Sequence, residues 1–145
     1  QLMAHALGGM VDYHPLGREE GCHQVAQAAA AKNDDFFADM PEQFGAYLTH
    51  EQSVLVPPPG ATVLARSEHD AHQILRYGPR ALSVQFHPEF TAPLMAACIQ
   101  RRAALLAAEG RDVAAMLSGN GPTVQSRRLL PTFVALAQYE SSIYS

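Results

Sequence analysis

The chain has 145 residues, 48% hydrophobic and 17% charged, a composition that fits one globular domain with one hydrophobic core. Its net charge of −4, with no basic run and no apolar stretch of about 18 residues, predicts neither a nucleic-acid partner nor a membrane surface or span. Two cysteines, Cys22 and Cys98, are too few for a disulfide framework and match no zinc motif, so a reducing, cytoplasmic setting is expected.

The first half of the chain predicts short elements separated by turn residues. The run over residues 1–7 favours a helix, which Gly8 and Gly9 end. Strands are predicted over 10–13, 22–25 and 44–48, a short helical turn and loop over 34–43, and either helix or irregular structure over the alanine-rich residues 26–32.

The second half is more clearly punctuated. A proline-rich turn over 57–60 precedes a strand over 62–65, and runs over 72–77 and 81–86 predict a hairpin. Thr91 can cap a helix that runs to about residue 109, followed by a loop over 118–122 and a final helix over 128–140. The order is mixed α/β. The predicted inward residues are Leu94, Cys98, Leu105 and Leu106 on the first helix and Leu129, Phe133 and Leu136 on the second.

The strongest chemical signal is His87-Pro88-Glu89, which follows a predicted strand. In an extended stretch residues i and i+2 project to the same side, so Glu89 can accept a proton from one nitrogen of the His87 ring. The other nitrogen can then act as a base toward a nucleophile. The plainer interpretation is a histidine that caps a turn beside a solvated glutamate, and the tripeptide alone does not exclude it.

The wider context adds a family resemblance. Residues 85–89 resemble the His/Glu triad motif of class I glutamine amidotransferases, a family with a flavodoxin-like α/β fold. Residues 1–9 resemble the stretch after that family's cysteine elbow, 49–54 its substrate-binding loop, and 58–78 its connection to the triad strand. The resemblance covers roughly residues 1–110. It implies that 1–145 is the C-terminal part of a single amidotransferase domain, lacking the N-terminal strands, with 111–145 as a C-terminal loop and helix.

The resemblance also implies a reaction and a site. The reaction is release of ammonia from the glutamine side chain, with His87 as the base and Glu89 as its orienting carboxylate, and with no cofactor and no metal. The ammonia acceptor would be a separate enzyme, and a homo-oligomer is also possible. The substrate-binding residues that the resemblance implies are Gln1, Thr49, His50, Glu51 and Gln52.

The departure from the family pattern concerns the nucleophile. On this match Gln1 is the glutamine of Cys-x-Gly-x-Gln, so the cysteine would lie four residues before Gln1, in a longer polypeptide of roughly 230 to 250 residues. Cys22 lies in a strand-like run that offers no feature known to lower a thiol pKa, so Cys22 is not expected to replace the missing catalytic cysteine. Two alternatives stay open: a γ-glutamyl hydrolase or peptidase with the same triad, and a non-catalytic protein of the same fold.

Other polar clusters are predicted to be solvated or structural. Their spacing fits no standard ligand set for a metal. The arginines near residue 101 and residue 127 are likewise expected on solvated helix faces. The residues concerned are His5, Asp12 and His14; His69, Asp70 and His72; and Arg101, Arg102, Arg127 and Arg128.

Overall fold

The computed structural model describes residues 1–143, with side chains as far as residue 138. After one short helix, strands come first and helices follow. The helices are α1 (Leu2–Ala6), α2 (Ala92–Arg101), α3 (Ala103–Ala108), α4 (Val113–Ser118) and α5 (Val124–Ile143). The strands are β1 (Met10–Tyr13), β2 (Glu19–Gln27), β3 (Gln43–His50), β4 (Gln52–Val56), β5 (Thr62–Arg66), β6 (Ile74–Gly78) and β7 (Ala81–Val84), and 3₁₀ turns Ala29–Asn33 and Asp35–Phe37 join β2 to β3.

The main sheet is antiparallel and curls on itself. Its strand order is β3-β2-β5-β6-β7, and β1 pairs with β4 in a separate two-stranded ribbon. The backbone N–H of His87, just past β7, donates to the carbonyl of Tyr47 on β3 at 2.8 Å. The two ends of the sheet therefore meet beside His87.

The longest ladder sets the position of the site. Strands β2 and β3 pair from Glu19 opposite His50 and Glu20 opposite Thr49 to Ala26 opposite Gln43. Side chains directly opposite on one face of an antiparallel pair lie close together. This register brings two glutamates of β2 against the end of β3.

Most predicted strands are confirmed. Strand β1 has the predicted bounds, and β6 and β7 form the predicted hairpin with Gly78 opposite Ala81. The alanine-rich segment is partly strand, because β2 continues to Gln27 before the 3₁₀ turn. Strand β4 is a correction, since residues 52–56 were not predicted as a strand; pairing with β1 makes them one.

The close approach of α1 to the ribbon requires glycine at position 9. A Cβ on Gly9 would lie 2.9 Å from the carbonyl oxygens of Ala4 and Val56 and from Cδ of Pro58. Three such contacts cannot all relax, because two of them involve backbone atoms. Gly9 therefore places α1, and with it Gln1, against β4.

The helical part differs from prediction in three ways. The predicted helix over 92–109 is interrupted at Arg102, although Thr91 caps it as expected, accepting from the backbone N–H of Leu94. Helix α4 was not predicted. Helix α5 begins at Val124, earlier than predicted. No helix in the described range is long and apolar enough to cross a membrane.

The predicted inward face of the first helix is wrong in part. Leu94 and Leu105 are 45% and 46% exposed, whereas Met95, Ile99 and Leu106 are fully buried. Met95, Ile99 and Leu106 recur at helical spacing, so the buried stripe runs one position later than the predicted stripe, and Leu94 and Leu105 lie beside it. On α5, Leu129 is buried and Leu136 packs against the core, but Phe133 is 39% exposed and touches the Phe36 ring edge-on.

Candidate functional site

His87 and Glu89 are in direct contact. Nδ1 of His87 lies 2.8 Å from Oε1 of Glu89. Their side chains are 36% and 55% exposed, so the pair faces an open surface. With Nδ1–H donating to the carboxylate, Nε2 carries the lone pair and is the ring's basic atom. The geometry is that of a base with its orienting carboxylate.

The local backbone differs from the extended stretch that was expected. Strand β7 ends at Val84, and Pro88 and Glu89 form a turn in which the N–H of Phe90 donates to the carbonyl of His87 at 3.2 Å. The turn, rather than strand alternation, brings Glu89 back to the ring. The predicted contact is therefore formed by a different backbone route.

The ring of His87 is held from several sides. Phe90 stacks on it with ring centroids 4.2 Å apart and an interplanar angle of 22°. The His87 backbone is bonded to β3 through Tyr47, and Pro88 is buried. Because the backbone and one ring face are fixed, the Nε2 edge has a defined direction.

An open cleft of about 570 Å³ contains this pair. A second open cleft of about 510 Å³ adjoins it. Three of the five predicted substrate-binding residues, Gln1, Thr49 and His50, line both clefts. Glu51 and Gln52 line the second cleft. The structure thus places every predicted site residue along one continuous surface.

Gln1 reaches this surface through two side-chain contacts. Its amide Nε2 donates to the carbonyl of Gln52 and, at 3.3 Å, to Oε1 of Gln85. Gln85 itself is buried between elements: it accepts from the N–H of Val54 at 3.1 Å and donates to Asp70 at 2.9 Å. Sequence reasoning treated Gln85 as part of the triad motif but did not identify it as the residue joining Gln1, β4 and β7.

Thr49 is hydrogen-bonded to an ion pair, between the half-exposed Arg102 and the buried Glu20, that the sequence did not reveal. Nη1 of Arg102 donates to Oε1 of Glu20 at 2.8 Å and to Oγ1 of Thr49 at 2.7 Å. The Glu20 side chain is fully buried. The prediction that Arg102 lies on a solvated helix face is right only in part, because its side chain is 38% exposed but its guanidinium pairs with the buried Glu20. Helix α2 ends at Arg101, which delivers the next residue to β2 and β3.

Glu51 and Gln52 are placed differently from Thr49. Glu51 lies between β3 and β4 and forms an ion pair with Arg18, leaving its side chain 42% exposed. Gln52 begins β4 and pairs with Tyr13, so its backbone belongs to the ribbon. Residues 49–52 thus comprise the end of β3, Glu51 and the start of β4, a tight connection between two strands.

His50 is almost buried beside two carboxylates. Its side chain is 9% exposed and its Nε2 lies 3.5 Å from Oε2 of Glu19. Burial lowers the pKa of His50, while the charges of Glu19 and Asp70 act in the opposite direction. One ligand atom from each of these three residues lies within 4.8 Å of the others, a grouping that could hold a metal ion. Of the polar clusters that the sequence predicted to be solvated or structural, only Asp70 belongs to this grouping. Nδ1 of the nearby His72 instead faces the carbonyl of Val54 at 2.6 Å.

The two cysteines lie away from this surface. Cys22 on β2 and Cys98 on α2 are half-buried against the core formed by Tyr47, Met95, Ile99 and Leu106. Burial raises the pKa of the Cys22 thiol, which disfavours the thiolate that a nucleophile requires. This agrees with the expectation that Cys22 is not the catalytic cysteine.

Sequence relatives include glutamine-hydrolyzing GMP synthases and a gamma-glutamyl peptidase. The chain is 34% identical over 92 residues to a glutamine-hydrolyzing GMP synthase of Thermosipho africanus, a match that covers 63% of this chain and 17% of the relative. Identity to one subunit of the glutamine-hydrolyzing GMP synthase of Methanocaldococcus jannaschii is 32% over 91 residues, 61% of this chain and 46% of the relative. Gamma-glutamyl peptidase 5 of Arabidopsis thaliana is 27% identical over 103 residues, 70% and 41% of the two chains.

Solved structures agree on the fold. The protein SMU.1228c superposes with a TM-score of 0.76 at 25% identity, covering 94% of this chain and 59% of that one. A glutamine amidotransferase of Thermotoga maritima superposes with a TM-score of 0.70 at 24% identity, covering 96% and 57%. The chain therefore has the α/β fold of these proteins while spanning little more than half their length.

The family assignment rests on more than half of the chain. The sequence profile described as Glutamine amidotransferase class-I matches residues 1–103, which include His87, Glu89 and every predicted substrate-binding residue. The chain spans less than half the length of each of the three sequence relatives. On this match, the chain belongs to the class I glutamine amidotransferase family.

Proposed function

We propose that this chain is the C-terminal part of a single glutaminase domain that releases ammonia from the side-chain amide of glutamine. The nucleophile is a cysteine N-terminal to Gln1 in the whole protein. The observation that carries the proposal is the 2.8 Å contact between Nδ1 of His87 and Glu89 at the edge of an open cleft. This leaves Nε2 as a base directed at a reacting group.

The reaction proceeds in two steps. His87 takes the proton of the cysteine thiol, the thiolate attacks the amide carbon, and the C–N bond breaks as His87 passes that proton to the leaving ammonia, which leaves a thioester. His87 then takes a proton from water, whose oxygen attacks the thioester carbon, and returns that proton to the cysteine sulfur as glutamate is released. Glu89 stabilises the charged imidazolium formed in each step.

Substrate binding follows from the two clefts. A glutamine whose amide lies at Nε2 of His87 extends its α-amino and α-carboxylate groups toward Gln1 and residues 49–52. Glu51, beside its ion-pair partner Arg18, supplies a negative charge for the ammonium group. Both N–H bonds of the Gln1 amide are donated to Gln52 and Gln85, so Gln1 shapes the wall of the cleft that receives the substrate. The ion pair of Glu20 with Arg102 holds Thr49 in place beneath them.

Replacement of His87 by Ala in the whole protein tests the assignment. Glutamine-dependent ammonia release should fall by about 10² to 10⁴, the usual contribution of general acid–base catalysis. His5→Ala, at an exposed histidine outside the clefts, is the matched control and should leave the rate unchanged. Near-normal glutaminase activity in His87→Ala would rule the assignment out.

A second candidate is a γ-glutamyl peptidase with the same residues, favoured by the relative of Arabidopsis thaliana that matches 70% of this chain. Both reactions break a C–N bond at the same carbonyl and differ in the leaving amine. Comparing kcat/KM for free glutamine and for a γ-glutamyl dipeptide separates the two. A preference for glutamine would support transfer of ammonia to a separate synthetase partner, since the archaeal relative is named as one subunit of a GMP synthase.

A cytoplasmic location stays a prediction from composition.

A further inference from the structure

The carboxylates of Glu19 and Asp70 are buried with neutral hydrogen-bond donors. Each residue is 1% exposed. Glu19 accepts from Ser67 at 2.6 Å and from Gln73 at 2.7 Å, and Asp70 accepts from the N–H of His72 at 2.8 Å. Hydrogen bonds from neutral donors stabilise a carboxylate but do not cancel its charge. Two negative charges in one buried place favour a cation between them.

His50 presents a ring nitrogen to these carboxylates. Its Nδ1 side faces Ser53 Oγ at 3.4 Å, and the residue also bonds the backbone of Gln52. Its Nε2 is buried without a hydrogen bond to any residue in the described range. The 3.5 Å to Glu19 is longer than the 2.7 to 2.9 Å typical of a charge-assisted hydrogen bond. A proton shared by this pair would draw the two atoms closer.

The same geometry suits a metal ion. The three ligand atoms lie within 4.8 Å of one another, so a point exists within about 2.8 Å of all three. Shifts of about 0.7 Å then give the ~2.0 to 2.2 Å bonds that zinc makes to imidazole and carboxylate. The 3.5 Å from Nε2 to Oε2 is already close to the ~3.4 Å between neighbouring ligands of a tetrahedral zinc ion.

The surroundings provide the second layer that metal ligands usually have. Ligating histidines bond a carbonyl, carboxylate or water through the other ring nitrogen, and ligating carboxylates accept further hydrogen bonds. Gln73 donates to Glu19, and Gln85 donates to Oδ2 of Asp70 at 2.9 Å. Each carboxylate oxygen has two lone pairs, so these bonds leave room for a metal.

We propose that Glu19, His50 and Asp70 form a buried binding site for a divalent transition-metal ion such as zinc. The site joins the start of β2, the end of β3 and the loop between β5 and β6. These elements support residues 49–52 at the cleft, so a bound ion would tie the three elements together there. The site is distinct from the proposed catalytic pair, since Nε2 of His50 is buried and the three ligands include neither His87 nor Glu89.

Zinc binding by the purified whole protein tests the site. After removal of metal with a chelator, titration with zinc chloride in a calorimeter should give one ion per chain and raise the melting temperature. Asp70→Asn and Glu19→Gln keep the shape of each side chain and should weaken zinc binding at least ~100-fold, more than the usual effect of changing an outer partner. Circular dichroism with chelator present checks that both variants fold.

Two histidine variants are matched controls. His5→Asn changes an exposed histidine, and His69→Asn removes a ring that lies 4.4 Å from His14, a rival place for zinc. Both should bind one zinc ion as the unchanged protein does. Zinc affinity that survives in Asp70→Asn and Glu19→Gln, or that is lost in His69→Asn, would overturn the proposal. The proposal would also be overturned if the folded, stable protein bound no zinc. In that case a shared proton, rather than a metal ion, would occupy the contact between His50 and Glu19.

Discussion

Replacing Glu89 by Gln tests how the carboxylate assists His87. The amide side chain would keep the size and one acceptor oxygen of the carboxylate but remove its charge. Because the proposed reaction forms an imidazolium twice, we expect the change to lower kcat for glutamine with a small effect on KM. The binding of the substrate involves other residues along the clefts.

The size of this effect follows from the geometry. Two unit charges 2.8 Å apart attract by about 1.5 kcal/mol in water and about 6 kcal/mol at an effective dielectric constant of ~20. The side chains are 36% and 55% exposed, so solvent screening holds the interaction near the lower limit, at about 1.5 to 3 kcal/mol. This corresponds to a loss of about 10- to 150-fold in kcat.

Steady-state glutaminase kinetics on the whole protein measure this loss. Exposure also predicts that added salt narrows the difference between the unchanged protein and Glu89→Gln, since exposed charges are screened over roughly 10 Å at 0.1 M salt. Glu89→Asp keeps the charge but places it farther from the His87 ring, so its kcat should fall between those of the unchanged protein and Glu89→Gln. A kcat for Glu89→Gln within twofold of the unchanged protein would refute the role given to Glu89.

Three further predictions concern residues around the site. Arg102→Ala should lower the free energy of unfolding in urea by about 2 to 4 kcal/mol, because it leaves the buried Glu20 without its main cation. Arg101→Ala, at an exposed position, should change it by less than about 0.5 kcal/mol, and equal effects of the two variants would contradict the assigned ion pair. Ile99→Ala should lower the free energy of unfolding by about 2 to 5 kcal/mol and Leu94→Ala by less than about 1 kcal/mol, since Ile99 is fully buried and Leu94 is 45% exposed. If urea unfolding showed Leu94→Ala to be the more destabilising variant, the face of α2 assigned to the core would be the wrong one. Cys22, followed by mass spectrometry of its own peptide, should react with iodoacetamide at pH 8 more slowly in the folded protein than in the urea-unfolded chain, because burial raises its pKa. Equal rates would mean that the thiol is exposed.

Local patterns predicted much of the fold. The helix at the start, strand β1, the β6–β7 hairpin and the Thr91 cap depend on residues close together in sequence, and the structure confirms them. Strand β4 was missed because Gln52 and Ser53 are polar and prolines follow at once; pairing with β1, a contact distant in sequence, makes it a strand. Arg102, at the break between α2 and α3, pairs with Glu20, a partner distant in sequence that local patterns do not reveal.

In the candidate site, too, contacts between residues close in sequence could be predicted and contacts between distant residues could not. His87 and Glu89 are two positions apart, so their contact could be predicted from sequence. The contact of Arg102 with Glu20 and the grouping of Glu19 with His50 and Asp70 require the β2–β3 register and the loop after β5. No local spacing specifies that register, because it depends on how the whole sheet curls.

The most direct measurement labels the nucleophile that His87 is proposed to activate. The whole protein is treated with a diazoketone analogue of glutamine, and the labelled residue is located by mass spectrometry of its peptides. We expect one label per chain, on a cysteine N-terminal to Gln1, at a rate that His87→Ala lowers by about 10² to 10⁴. A label on Cys22, or an equal rate of labelling in His87→Ala, would contradict the account.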